Sequence, residues 1–221
     1  MDNIKVKICA NRSIDDAKMC IDAGCDIIGI LVGQRHFSTD FVDKEKAKEI
    51  CDFVAGRVSV SLVTHIENAD EIISLTKYIG NDTIQLHSQI KESEVEKIVN
   101  ALPKIKLVRV IHVSKDGIIQ SEVDKIAFSD YYLLDSYNIK KDQVGGTGIT
   151  LDWEKCNAII SSLNRPTFLA GGLNPKNVSE AIKIAMPYGV DVNSGCKNAM
   201  GVKDAQKVKE FVYNAKHTFC E

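Results

Sequence analysis

The chain has 221 residues, is 44% hydrophobic and carries a formal net charge of −2. That length suits one large domain or two small ones, and the apolar content is ample for one core. The near-neutral balance gives no global attraction to nucleic acid or to an anionic membrane surface, so neither is expected as a partner. No apolar run approaches the roughly 18 residues needed to span a bilayer. The start, Met1-Asp2-Asn3-Ile4-Lys5, lacks the apolar segment of a signal peptide. Seven cysteines form no close-spaced pattern. Cys20, Cys25, Cys51 and Cys156 read as core or helix-face residues, which suits a reducing cytoplasmic location better than a disulfide framework. No Cys-x-x-Cys or His-x-x-x-His pair occurs, so no metal site is expected.

In chain order, Ile4–Cys9 reads as a strand and a helix starts at Ser13, with Asp16 placed as in a capping box. Strands follow at Asp26–Val32, Val58–Val63, Thr83–Leu86, Lys106–Ile111, Tyr131–Leu134, Thr167–Ala170 and Val190–Asn193. These runs are apolar or β-branched, as in strands buried on both faces. Amphipathic helix patterns lie between and after them at Asp43–Val54, Asn68–Tyr78, Glu92–Ala101, Gln120–Phe128, Asp152–Ser161, Pro175–Ala185 and Lys203–Asn214. Asn174-Pro175 supplies a capping residue and a proline at a helix start. Strict alternation implies a parallel sheet, and eight strand–helix units imply closure into a single-domain (β/α)8 TIM barrel over 1–221. The alternative is an open doubly wound sheet. It would more often carry a glycine-rich first βα turn, whereas the chain has Cys9-Ala10-Asn11-Arg12 there.

Reactive groups of such barrels sit at the C-terminal strand ends. Those ends hold Cys9, Gly33 to Arg35, Thr64-His65, His87, His112, Asp135, Gly171-Gly172 and Ser194-Gly195. Asp135 follows four apolar or aromatic residues, and burial raises a carboxyl toward the range where it donates a proton. Cys9 is a packing residue or, with a positive charge nearby, a thiolate base. Glycines in Gly145–Gly148, Gly171-Gly172 and Ser194-Gly195 follow the sixth, seventh and eighth strands, where barrels often hold a phosphate. Phosphate contacts are expected at Gly146, Gly148, Gly171, Gly172, Ser194 and Gly195.

Six segments, read together, resemble the phosphoribosylanthranilate isomerase family. They are Lys7-Ile8-Cys9, Gln85-Leu86-His87, Leu133 to Ser136, Gly145 to Gly148, Leu169 to Pro175 and Gly189 to Gly195. The resemblance spans almost the whole chain in order and spacing. It implies a (β/α)8 barrel without cofactor or metal that carries out an Amadori rearrangement in tryptophan biosynthesis. N-(5-phosphoribosyl)anthranilate becomes 1-(2-carboxyphenylamino)-1-deoxyribulose 5-phosphate. By the resemblance Cys9 is the general base and Asp135 the general acid. The partner is a small phosphosugar, and the chain is a monomer or homodimer.

Some positions differ from the family pattern. Ala10, Asn11 and Arg12 stand where glycine, an aliphatic residue and threonine are usual, and Ser88 replaces a glycine after His87. The second βα loop, Gly33 to Asp43, places Asp40 where the family has an arginine near the anthranilate carboxylate. Substrate contacts are expected from His87, from Arg35 if the second loop folds differently from the family's, and from Arg12, which could instead lower the Cys9 pKa or face solvent. Two other readings are a paralogue acting on a different phosphorylated aminosugar and a non-catalytic phosphometabolite-binding barrel. A metal-dependent epimerase would need His65, His87 or His112 to converge with acids on a metal.

Overall fold

A computed structural model of the chain describes residues 4–35, 38–113, 118, 123, 126–138, 143–144 and 150–220. Eight parallel strands close into a barrel: β1 (Lys5–Ile8), β2 (Ile27–Leu31), β3 (Ser59–Thr64), β4 (Thr83–Leu86), β5 (Lys106–Val113), β6 (Tyr131–Asn138), β8 (Thr167–Leu169) and β9 (Gly189–Val192). Closure comes from β1 pairing β9, with Lys5 opposite Gly189 and Ile8 opposite Val192. The β5–β6 pairing sets His112 opposite Asp135. The expected barrel is thus the observed one, and the open sheet is ruled out.

Successive strand side chains alternate between faces. Val6 and Ile8 join the main core layer with residues of the surrounding helices, while Val108, Leu133, Phe168 and Ala170 form a separate apolar cluster. The same alternation leaves Lys7 and Cys9 on the interior side of β1. Below Lys7 the barrel opens into a cavity of about 410 Å³ whose lining includes Ser59, Ser61, Thr83 and Gln85. The interior is therefore polar along β3 and β4 and apolar along β5, β6 and β8.

Helices α1 (Ile14–Asp22), α2 (Lys44–Val54), α3 (Ala69–Ile79), α4 (Glu92–Ala101), α5 (Trp153–Ser162), α6 (Val178–Ala185) and α7 (Ala205–Lys216) wrap the barrel. Several begin where short acceptor side chains were read as helix starts. Ser13 Oγ accepts from Asp16 N, Asp43 from Lys46 N, Asn68 from Glu71 N and Asp152 from Lys155 N. Each such cap satisfies a backbone donor that the first turn leaves free and is worth about 1 kcal/mol.

Three local expectations change. The sixth strand runs past Leu134 to Asn138, because Asp135 and Ser136 stay paired with β5 and a short strand β7 (Gln143–Val144) pairs back on Tyr137 and Asn138 in antiparallel fashion. The seventh helix pattern begins at Val178, not Pro175. Residues 175–177 form a turn in which Asn174 Oδ1 accepts from Lys176 N and the Asn174 carbonyl accepts from Val178 N. Most of the Gln120–Phe128 pattern lies outside the described residues, and Ile126 to Phe128 are not helical.

Candidate active site

Cys9 follows β1 directly and is 8% exposed; Asp135 lies within β6 and is 7% exposed. Beside Cys9 sits a buried ion pair absent from the expectations above: Lys7 Nζ donates to Asp191 Oδ2 at 2.6 Å. Lys7 belongs to β1 and Asp191 to the adjacent β9, in register. Gly29 on β2 makes room for this arrangement. A Cβ there would stand 2.8 Å from Cys9 Sγ and 3.3 Å from Lys7 Nζ.

Burial pushes the Cys9 thiol up. The Lys7 ammonium, the Lys203 ammonium and the N–H of Ala10 pull it back, while Asp191 opposes them. Ala10 reaches that position with φ of 58°, a left-handed conformation that costs roughly 1–2 kcal/mol for a residue with a Cβ. Lys203, itself buried, also donates to the Cys9 carbonyl at 2.7 Å. Burial raises the Asp135 carboxyl to about 7. The Ser136 N–H, at 2.7 Å from Oδ1, and Lys7 work against that rise, and Asp191 adds to it. Lys7 and Asp191 act on both Cys9 and Asp135. A carboxylic acid and a thiol that share a field in this way can exchange protons with a ligand held between them.

His87, at the end of β4, brings Nε2 to 3.9 Å from Asp135 Oδ2, and its Nδ1 lies 3.2 Å from Gln85 Nε2. His65, His87 and His112 form a row with ring centroids 5.4 and 5.9 Å apart, extended by Phe41 at 5.3 Å from His65. The three rings lie side by side along successive strand ends. Among the described residues no group of three His, Cys, Asp or Glu side chains is placed to hold a metal ion.

The other expected site residues divide into two groups. Gly171, Gly172, Ser194 and Gly195 gather at the ends of β8 and β9, with Ser194–Cys196 forming a short 3-10 helix. A Cβ on Gly195 would be 1.9 Å from the Leu173 carbonyl oxygen, so the two loops touch backbone to backbone. Among the described residues, the backbone hydrogen bonds of loops and turns use no N–H of Gly171, Gly172, Ser194 or Gly195. Gly146 and Gly148 lie outside the described residues.

Arg12 and Arg35 have other partners. Arg12 donates to the carbonyls of Thr39 at 3.3 Å and Gly201 at 3.4 Å, bracing the first loop against the second and the last. Arg35 is largely exposed and pairs with Glu67. Asp40, which would repel an aromatic acid if bare, is paired with Lys197 and accepts from Asn193 Nδ2 at 2.9 Å. Partial burial pushes its carboxyl up, but the bonds from Lys197 and Asn193 and the charges of Lys197 and Arg12 outweigh that and hold it below the usual range.

Lys7, Asp191 and Lys203 were not among the expected site residues. Two of them left a trace in the sequence: a lysine inside one buried strand and an aspartate inside another are opposite charges that must find each other.

The model of the family described as N-(5'-phosphoribosyl)anthranilate (PRA) isomerase matches residues 6–214. N-(5'-phosphoribosyl)anthranilate isomerase 2 of Methanosarcina mazei is 38% identical over 216 residues, covering 98% of this chain and 96% of that protein. The isomerase of Methanocella arvoryzae is 34% identical, covering 97% and 99%. Among solved structures, phosphoribosyl anthranilate isomerase from Thermotoga maritima superposes with a TM-score of 0.81 at 28% identity, covering 96% of this chain and 98% of that one. A phosphoribosyl anthranilate isomerase in complex with reduced 1-(o-carboxyphenylamino)-1-deoxyribulose 5-phosphate gives 0.78 at 26%, again over 96% and 98%. Full-length agreement in sequence and in fold has one meaning: the chain belongs to the N-(5'-phosphoribosyl)anthranilate isomerase family.

Proposed function

We infer that the chain isomerises N-(5-phosphoribosyl)anthranilate to 1-(2-carboxyphenylamino)-1-deoxyribulose 5-phosphate, a step of tryptophan biosynthesis. Asp135 is the acid and Cys9 the base. What supports this reading is that Cys9 and Asp135 are both buried in the barrel and share the field of Lys7 and Asp191. A carboxyl group raised to about 7 keeps a large protonated fraction at neutral pH.

Asp135 gives its proton to the furanose ring oxygen. The C1–O bond breaks and the nitrogen lone pair forms the Schiff base. The Cys9 thiolate then takes the C2 proton, and the electrons of that C–H bond move into an enolamine, which tautomerises to the ketone. Among the described residues, the loop and turn hydrogen bonds leave the N–H groups of Gly171, Gly172, Ser194 and Gly195 unused, which suits the phosphate. Anchoring that end fixes the reacting carbons between acid and base. Paired with Lys197 and hydrogen-bonded by Asn193, Asp40 does not bar an aromatic carboxylate. His87, beside Asp135, is the ring best placed to touch substrate.

Among the described residues no helix is long and apolar enough to cross a membrane. Of monomer and homodimer, the dimeric phosphoribosylanthranilate isomerase of Thermotoga maritima favours the second.

The test is consumption of fluorescent phosphoribosylanthranilate, made in situ, by the purified protein. Cys9→Ser and Asp135→Asn are each expected to lower kcat by roughly 10²–10⁴ with the fold intact. Near-normal rates in either variant would remove that residue from its role. No turnover by the intact protein would point to another phosphorylated aminosugar.

A further inference from the structure

The other end of the barrel holds a cavity that the isomerisation does not use. Its volume is about 410 Å³, within the usual range for a small-molecule site. Barrels of this fold normally fill their interior with layers of bulky side chains. Here Ser59, Ser61 and Thr83 stand on β3 and β4, and the space beside them stays open. The lining comes mostly from strand starts, so the cavity lies at the end of the barrel away from Cys9 and Asp135.

The lining has three parts. Deepest are Ser61 and Gln85, 0% and 2% exposed. Their strand neighbours Val60, Leu62, Ile84 and Leu86 pack outward against the helices, so both side chains point into the barrel. Ser61 Oγ and Gln85 Oε1 are buried without a hydrogen-bond partner, which costs free energy until something pairs with them. One wall is aromatic. Tyr131 and Tyr188 stack with ring centroids 5.7 Å apart, and Phe168 meets them edge-on at 5.8 and 5.4 Å. Gly189 makes room for this wall, since a Cβ there would stand 2.5 Å from the Phe168 ring. The rim is cationic. Asp26 is shared by Lys5 and Lys216, and Asp130 is held by Lys106. Asp82 accepts from the Val60 N–H and from the hydroxyls of Ser59 and Thr83. Lys104 is exposed and, among the described residues, has no ion-pair partner. Four lysines thus face three aspartates.

We propose that this cavity binds a small phenolic acid, with its hydroxyl against Ser61 and Gln85, its ring along Tyr131 and Phe168, and its carboxylate at Lys104. Each part of the ligand answers one part of the lining. A hydroxyl both donates and accepts, so it pairs with the serine oxygen and with the amide of Gln85, whose Nε2 lies 3.2 Å from His87 Nδ1. A ring covers the aromatic wall that water would leave wetted. A carboxylate at the rim meets the one lysine not committed to an aspartate. The strand rise sets Ser61 and Gln85 about 7 Å inward of Ser59 and Thr83. A para-substituted ring with a one-carbon acid arm spans that depth. The site goes beyond the isomerase assignment and does not rest on it.

The test is calorimetric titration of the full chain with 4-hydroxyphenylacetate. Saturable binding is expected, with a Kd of about 0.1–1 mM for a ligand of this size. Ser61→Ala should weaken it about tenfold and Lys104→Glu about three- to tenfold. Phenylacetate, which lacks the hydroxyl, should bind about tenfold more weakly. Tyramine, with a cation in place of the acid, should not bind. Nuclear Overhauser contacts from the ring protons of the probe to Phe168 would place it in the cavity. Lys104→Glu alters an exposed side chain, so it reports on the site even if Ser61→Ala disturbs the fold. The proposal is overturned by a lack of saturation up to about 10 mM. It is equally overturned by affinities that neither variant changes, which would put the probe elsewhere, or by phenylacetate binding as tightly as the phenol.

Discussion

Asn193 Nδ2 donates to Asp40 Oδ2 at 2.9 Å, joining the loops that follow β2 and β9, the two strands flanking β1. Lys197 completes the clasp from the same side, and Arg12 braces the first loop against both neighbours. Asp40 thus ties the second loop to the last one, on either side of the first.

Asp40→Ala removes the counter-charge of a largely buried lysine and should cost on the order of 1–3 kcal/mol at neutral pH. The dependence on pH has a definite sign. The folded carboxyl is held below its ordinary value, so its contribution is present above the unfolded value of about 3.9 and fades as acid protonates it in the fold. Urea unfolding of both proteins should show a gap at neutral pH that narrows below about pH 4. A gap that persists unchanged in acid would mean the loss is one of packing and not of the ion pair.

Asp135 predicts the opposite behaviour. Its carboxyl is raised to about 7 in the fold, against about 3.9 in the unfolded chain. Between those values the unfolded chain releases a proton that the folded chain keeps, so stability falls as pH rises through the window. Asp135→Asn removes this penalty. The variant should match the parent near pH 4 and exceed it by on the order of a few kcal/mol above pH 7, while losing activity. Thermal unfolding at the two ends of the window checks this; equal gains at both ends would point to a cause other than ionisation.

Gly195→Ala tests the phosphate end. A Cβ 1.9 Å from the Leu173 oxygen cannot be accommodated without parting the loops after β8 and β9. KM for the phosphosugar should rise by about tenfold, equivalent to roughly 1.4 kcal/mol of binding, with kcat less affected. An unchanged KM would place the phosphate elsewhere.

The order of strands and helices was readable because each local signal agrees with the fold. Apolar β-branched runs became strands buried on both faces, and Asp43, Asn68 and Asp152 became caps because short acceptor side chains satisfy first-turn donors wherever they stand. Cys9, Asp135, His87 and the β8 and β9 glycines were legible as strand-end residues, since barrel closure brings all strand ends to one rim. Beyond reach were relationships between residues far apart in the chain. The sequence names Lys7 and Asp191 but not their 2.6 Å contact, 184 positions apart, which exists only because β1 and β9 close the barrel in that register. The partners of Arg12, Arg35 and Asp40 likewise depend on how loops fold over the rim, where side-chain geometry and not periodicity decides. Residue type and spacing determined the scaffold and the chemistry available; tertiary closure decided which charges meet, because electrostatic interaction depends on distance and burial through space.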